Sequence, residues 1–376
     1  MKRIISFFLV FALVFHFAAC ASKQDSIKTG EVGVIHEPEF GGVYIEITID
    51  DFNNEYGFEF GDSVNVYFSN GYSQLDIPYY NGYYVKPGEK LLIGYPGYDY
   101  IKYACNFGDD MFIVAELSED DTAYIELNER GKYLGIQDAR NITYLDDREL
   151  YPSDEIFANF RSCNVGNLKS DFLYRSASPC DNQHNRAHYV DSLMREAGVN
   201  YILDLADNES KVQGYMASDD FSSDYYAELY ERGDVGLLSL SANYSSPDFM
   251  DKLVNGIIEM IDHDGPYLVH CTEGKDRTGF VIILFEMLAG ATYDEMLEDY
   301  MMTYFNYYGI AEFNEPEKYR LIKENLFDDM IRMIMGVDED FDITNVDFVP
   351  YAEAFLLDDV TISQEQVNTL KDKLTK

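Results

Sequence analysis

The stretch PYLVHCTEGKDRTGFVIILFEML, residues 266–288, decides the fold. A short apolar run, Tyr267 to Val269, leads into a polar loop from His270 to Gly279. An almost unbroken apolar segment follows from Phe280 to Leu288. Such a run is a buried strand feeding a buried central helix, the alternation that builds a mostly parallel sheet. Between the two, a very acidic chain concentrates a cysteine, a lysine and an arginine. A loop of this form wraps around a phosphate. Backbone N–H groups along Thr272, Glu273, Gly274 and Lys275, and on to Gly279, turn inward, and the next helix offers its positive N-terminal end. Arg277 holds two phosphate oxygens at once, which a lysine does less well. The same positive field favours the thiolate form of Cys271, and a thiolate beneath a cradled phosphate is a nucleophile in line with phosphorus. His270 orders the loop through its ring hydrogen bonds. Gly274 and Gly279 allow the tight turn and close approach. A nucleotide-binding P-loop is excluded: Asp276 stands where Ser or Thr is needed after Gly-Lys, and Val269 holds the first glycine position.

The loop HCTEGKDRTG resembles the signature loop of cysteine-dependent phosphatases, specifically the bacterial tyrosine-specific and phosphoinositide-capable group. Asn159-Phe160-Arg161 and Leu173-Tyr174-Arg175-Ser176 resemble that family's entry segment, and ILDLADNE its next strand and turn, with Ala206 where the family often has arginine. The resemblance covers roughly residues 155 to 340. It implies a phosphocysteine intermediate in which Cys271 attacks, Arg277 binds phosphoryl oxygens and Thr278 stabilises the departing thiolate, with no metal and no organic cofactor. Animal-type members take their general acid from a Trp-Pro-Asp loop, and this chain has no tryptophan. The related group carries an aspartate inside the loop, so Asp276 is the first choice for the acid. Asp248 and Asp207 remain alternatives. Asp248 also suits the N-terminus of its own helix, and Asp207 follows a strand end. Arg161 and Arg175 are candidates for supporting the loop through ion pairs. Lys275 would suit a second phosphate, which keeps a phosphoinositide open as substrate beside a phosphotyrosine protein. A surface binding module on an inactive phosphatase fold is the reading from a different class. The intact Cys271 and Arg277 weigh against it.

Outward from the loop, the same alternation runs through residues 148–345. It includes strands at YILDLA and GLLSL, helices at 186–197 and 317–335, and a Ser246-capped helix with Pro247 in its first turn. Thr292 and Glu295 form a capping box for the next helix. Residues 346–376 read as a C-terminal helical tail with a helix at 363–374. Before them, residues 39–147 read as a small all-β barrel or sandwich. VYIEITI and VNVYF alternate, FIVAEL and AYIEL follow as strands, and Asn70-Gly71 and Asn81-Gly82 signal two-residue hairpins. Part of this region weakly resembles the β-barrel half of bacterial adenosyl-transferring halogenases and hydroxide adenosyltransferases. Their other half is absent, so no chemistry follows from it.

Residues 1–19 have a basic start at Lys2 and Arg3, an apolar core and a small-residue exit, the pattern of a secretory signal peptide. Ala18-Ala19-Cys20 resembles the lipobox of bacterial lipoproteins, with Phe17 in place of the usual leucine. Cys20 is therefore the expected lipidation site, and residues 20–38 a polar tether. The expected location is the extracytoplasmic face of a bacterial cell membrane, reached through that anchor. The formal charge of −40 argues against nucleic acid and anionic membrane surfaces as partners. Screening over about 8 Å lets a local basic loop still bind a phosphate ester. Four cysteines besides Cys20 make no disulfide framework, although Cys163 and Cys180 could pair. No cysteine pair has zinc spacing, and His270-Cys271 has no two further ligands nearby in sequence, so no metal site is expected.

Overall fold

A computed structural model describes residues 27–38, 41–142 and 145–376. The expected signal peptide and Cys20 lie outside the described residues. No helix among the described residues is long and apolar enough to cross a membrane.

The N-terminal region is a closed barrel rather than a sandwich. Its strands are β1 (Val32–Glu37), β2 (Gly42–Ile45), β3 (Ser63–Phe68), β4 (Ser73–Tyr80), β5 (Lys90–Ile93), β6 (Ile101–Cys105) and β7 (Thr122–Glu129), in the order β1-β2-β6-β5-β4-β3-β7. Alternate residues point inward, so Val43, Ile45, Val64, Val66, Tyr79, Leu92, Tyr103 and Ile125 fill the interior. The barrel begins within the segment expected to be a tether, because the run from Val32 can pair with both β2 and β7. Asn70-Gly71 does lie in a hairpin, but the connection runs from Ser69 to Tyr72 rather than through two residues, with Gly71 at φ 93° and the Asn70 side chain accepting from the Tyr72 amide. Asn81-Gly82 does not. β4 and β5 are parallel, and Asn81 instead exchanges hydrogen bonds with Gln137. FIVAEL is also not a strand. Asp110 caps a short helix, Met111–Val114, by accepting from the Phe112 and Ile113 amides, and Ile113 is left 67% exposed. Local capping here overrides a strong strand propensity.

The helix Leu134–Arg140 leaves the barrel toward the second domain. Gln137 faces the barrel, whereas Ala139 is buried in the core of the α/β domain. Lys86 adds ion pairs to half-buried Asp329 and exposed Glu339, both at 3.5 Å.

The second domain is a mixed α/β structure. Its five-stranded sheet runs β11 (Val235–Leu237), β10 (Tyr201–Asp204), β12 (Tyr267–His270), β9 (Leu173–Ser176), β8 (Arg161–Ser162). All pairings are parallel except β8 with β9. Alternation along β12 feeds two layers. Tyr267 and Val269 join one core with the helices Pro247–Asp262, Asp276–Leu288 and Tyr293–Tyr308. Leu268 joins the other, with the helices Ala187–Glu196, Glu209–Met216 and Asp224–Arg232. The helix Asp276–Leu288 is buried from Thr278 to Leu288, which is why it is apolar on almost every face, Glu286 being the charged exception. The capping box at Thr292 and Glu295 is formed, and Ser246 caps its helix.

Residues 346–376 pack into this same core through Val367, Leu370 and Leu374. The final backbone is clamped to the start of the domain, with the Lys376 amide donating to Asn167 O and the Lys169 amide to Leu374 O. Cys163 and Cys180 are both free thiols in the interior.

Candidate active site

β12 is the middle strand of the sheet, and its C-terminal end delivers His270 between Asp204 of β10 and Ser176 of β9. The loop begins there, at the edge where open α/β sheets place their ligands. What sets its chemistry is where its carbonyls go. His270 Nδ1 donates to Cys271 O at 3.2 Å. The Ser178 amide donates to Thr272 O at 3.1 Å, and the Tyr307 hydroxyl to Glu273 O at 2.6 Å. Gly274 O accepts from Arg175 Nη2 at 3.0 Å and from Asn159 Nδ2 at 3.4 Å. Every carbonyl from Cys271 to Gly274 is thus held by the surrounding protein. A trans peptide sets N–H opposite C=O, so the amides of Thr272, Glu273, Gly274 and Lys275 face the other way, into the loop. Gly274 sits at φ 65°, and a Cβ there would lie 2.0 Å from Ser176 O, so no side chain fits. A Cβ on Gly279 would meet the Tyr300 ring at 2.9 Å.

Arg277 spans the loop, donating to Leu240 O at 3.1 Å and to Thr272 Oγ1 at 3.3 Å. Cys271 is 3% exposed. Thr278, in the first turn of the helix, is fully buried, and its hydroxyl has no hydrogen-bond partner among the described residues. Lys275 pairs with Glu273 at 3.0 Å and approaches Asp276 at 3.8 Å.

The expected support from Arg175 and Arg161 takes a definite form. Both guanidinium groups converge on Asp299, Arg175 Nη1 at 2.5 Å from Oδ2 and Arg161 Nε at 2.7 Å from Oδ1. Burial alone would raise the Asp299 carboxyl, but the charges of Arg161 and Arg175 outweigh it and hold the group below its ordinary value. Burial and the Asp299 charge push the neighbouring Glu286 well above the carboxylate range. Arg161 also donates to Thr303 Oγ1 and Asn159 Oδ1, and Asn306 Nδ2 donates to Asn159 Oδ1. Asp299, Thr303 and Asn306 were missed in the sequence, although a signal was there. They recur at three- and four-residue steps, a polar stripe on the buried face of a helix. Removing one partner of a buried charge cluster leaves the others uncompensated. Asp299→Ala should therefore lower the unfolding free energy by about 3–5 kcal/mol, measured by urea denaturation; a loss within the range of ordinary surface substitutions would contradict this role.

The three candidate acids occupy different surroundings. Asp276 opens the helix beside Arg277, and its Oδ1 has no hydrogen-bond partner among the described residues. Its charge, after burial, helps hold the Tyr244 hydroxyl well above its ordinary value, and Tyr244 also senses Cys271. Asp248 is 63% exposed and paired with Lys252 at 2.8 Å. Asp207 is 1% exposed, close to Cys180 and Asp204, where burial and the Asp204 charge raise its carboxyl. Burial pushes His270 down to about 4, so its ring is neutral. The segment from Leu238 to Ser246 supplies the carbonyl against Arg277 and contains no carboxylate. Tyr244 from it stacks on Phe280, with ring centroids 4.8 Å apart.

The family model described as "Tyrosine phosphatase family" matches residues 157–376, from just after the barrel and its exit helix to the final residue. No curated protein matches the chain. The matched region spans the sheet, the loop from His270 to Gly279 and the C-terminal helix; the chain belongs to the tyrosine phosphatase family, and this membership supports a phosphatase activity.

Proposed function

We propose that the protein hydrolyses phosphate monoesters through a phosphocysteine at Cys271, with phosphotyrosine in proteins as its substrate. The observation that carries this reading is the outward tethering of the carbonyls from Cys271 to Gly274, which leaves four successive amides for phosphate oxygens. Arg277 adds a bidentate clamp as it swings from Leu240 O and Thr272 Oγ1 onto the phosphate. Cys271 Sγ attacks phosphorus, the ester P–O bond breaks, and Asp276 gives its proton to the leaving oxygen. Water then attacks phosphorus, Asp276 takes that water's proton, and the P–S bond breaks. The Thr278 hydroxyl donates to the departing thiolate. Holding the charge with fixed dipoles in a site closed to bulk water is the main source of rate.

Lys275 is the residue that would favour a phosphoinositide. It is 13% exposed on its side chain and engaged with Glu273 and Asp276, which favours a substrate with a single phosphate. Rates on phosphotyrosine peptides should exceed those on phosphoserine peptides and on phosphoinositides in one panel assay, since an aryl oxide is the better leaving group. Equal or faster phosphoserine turnover would overturn the assignment, and faster phosphoinositide turnover would transfer it. We further propose export and lipid attachment at Cys20, supported by the apolar run and Ala18-Ala19-Cys20. The native N-terminus should be a lipidated Cys20 by mass spectrometry; an unmodified start elsewhere would contradict it.

A further inference from the structure

The sequence shows no two further ligands near His270, but the fold brings Asp204 to it and groups Asp204 with Cys180 and Asp207. Cys180, Asp204 and Asp207 present one sulfur and two carboxylate oxygens within 4.8 Å of one another. His270 Nε2 lies 3.8 Å from Asp204 Oδ2. All four residues are at most 2% exposed. We propose that Cys180, Asp204, Asp207 and His270 form a binding site for a divalent transition-metal ion of the zinc class.

Three of the four atoms have no hydrogen-bond partner among the described residues: Asp204 Oδ2, Asp207 Oδ2 and His270 Nε2. Their other polar atoms are in use. Asp204 Oδ1 accepts from the Ala206 and Asp207 amides. Asp207 Oδ1 faces Lys211 at 3.4 Å and the Tyr215 hydroxyl at 3.5 Å. His270 Nδ1 spends its proton on Cys271 O, so in the neutral ring Nε2 carries a lone pair. That lone pair lies 3.8 Å from Asp204 Oδ2, and Asp204 and Asp207 each keep one carboxylate oxygen without a hydrogen-bond partner among the described residues. Acceptors facing one another in a dry interior repel unless something positive sits between them. A bridging water satisfies the directions, and a proton shared between the carboxylates removes one of the charges. A divalent cation satisfies both.

The ligand chemistry selects the ion. One thiolate sulfur, one imidazole nitrogen and two carboxylate oxygens are borderline-soft donors of the kind zinc takes at four-coordinate sites. A tetrahedron with arms of about 2.0–2.3 Å has edges of about 3.3–3.8 Å; His270 Nε2 and Asp204 Oδ2 already stand 3.8 Å apart, and the ion draws Cys180 and Asp207, which lie within 4.8 Å of Asp204, onto the same centre. Binding forms a metal–sulfur bond and releases the Cys180 thiol proton to solvent. The remaining negative charge is offset by Arg277 and Lys211, whose charges reach Asp204. A second group, Cys163 with Glu286 and Asp299, does not qualify, because Arg161 and Arg175 already compensate Asp299. The ion would fasten the end of β10 to the end of β12 at the root of the loop. It takes no part in phosphoryl transfer.

The test uses the full chain carrying Cys271→Ser, so that the nucleophile cannot act as a ligand, loaded with Zn²⁺ and passed through a desalting column. Elemental analysis should find roughly one zinc per chain. X-ray absorption should show one sulfur at about 2.3 Å with nitrogen and oxygen at about 2.0–2.2 Å. Cys180→Ser and Asp207→Asn should each weaken zinc affinity by at least the 10–100-fold typical of losing even an outer-sphere partner, measured by competition with a chromophoric chelator. The absorption measurement needs neither variant, so poor folding of one does not blunt the test. A chain that retains no zinc, a zinc shell without sulfur, or affinity undiminished in Cys180→Ser would each overturn the proposal.

Discussion

Cys271→Ser should lower turnover of aryl phosphates by about 10⁴-fold or more while leaving phosphate binding close to its original strength. The two halves of this result come from separate parts of the loop. In the proposed mechanism binding rests on four inward amides and on Arg277, and the loop is held from outside by Arg175, Asn159, Tyr307, Ser178 and His270. None of those contacts uses the Cys271 side chain. In the proposed mechanism bond formation to phosphorus rests on the sulfur alone, and a serine hydroxyl in its place stays protonated at neutral pH. Isothermal titration with inorganic phosphate and steady-state turnover separate the two. Loss of binding alongside turnover would mean that the thiol also holds the cradle open. Substantial activity in the variant would remove Cys271 as the nucleophile.

Asp276→Asn should have an effect that depends on the leaving group. A tyrosyl oxygen, with a pKa of about 10, leaves poorly as an anion and needs a proton. A nitrophenolate leaves more readily without one. General acid catalysis supplies about 10²–10⁴ in rate, and the variant should lose most of that factor on phosphotyrosine and much less on the activated ester. Single-turnover formation of the phosphoenzyme is the observable, because slow hydrolysis of the intermediate can hide the effect. Asp248→Asn should show no such contrast, since its carboxylate is largely exposed and tied to Lys252. Asp207→Asn should show none either. An equal loss on both substrates would make Asp276 a shaper of the loop. A leaving-group-dependent loss at Asp248 or Asp207 would move the acid there.

The loop was legible because its chemistry is contiguous. Cys271, Asp276, Arg277 and Thr278 fall between the end of a strand and the first turn of a helix, whose apolar runs announce them. Arg175 was legible through the resemblance of its segment. The groups that hold it were not read, since Asp299, Thr303 and Asn306 reach Arg161 and Asn159 from more than a hundred residues away. Only a polar stripe on an aromatic-rich helix hinted at them. The same distance hid Cys180, Asp204 and Asp207 from His270. In the barrel, sequence pattern and structure part where local patterns compete. FIVAEL has strand composition but follows a capping aspartate, and Asn81-Gly82 has turn composition but its asparagine is committed to Gln137. Turn and strand propensities are weak beside such specific hydrogen bonds.

The central claim is that this loop forms a covalent phosphoryl intermediate on sulfur. Rapid acid quench of the enzyme turning over a ³²P-labelled phosphotyrosine peptide, followed by proteolysis and mass spectrometry, tests it most directly. One phosphoryl group is expected on the peptide containing Cys271, and none in Cys271→Ser. Label on another residue, or turnover with no labelled enzyme under single-turnover conditions, would contradict it.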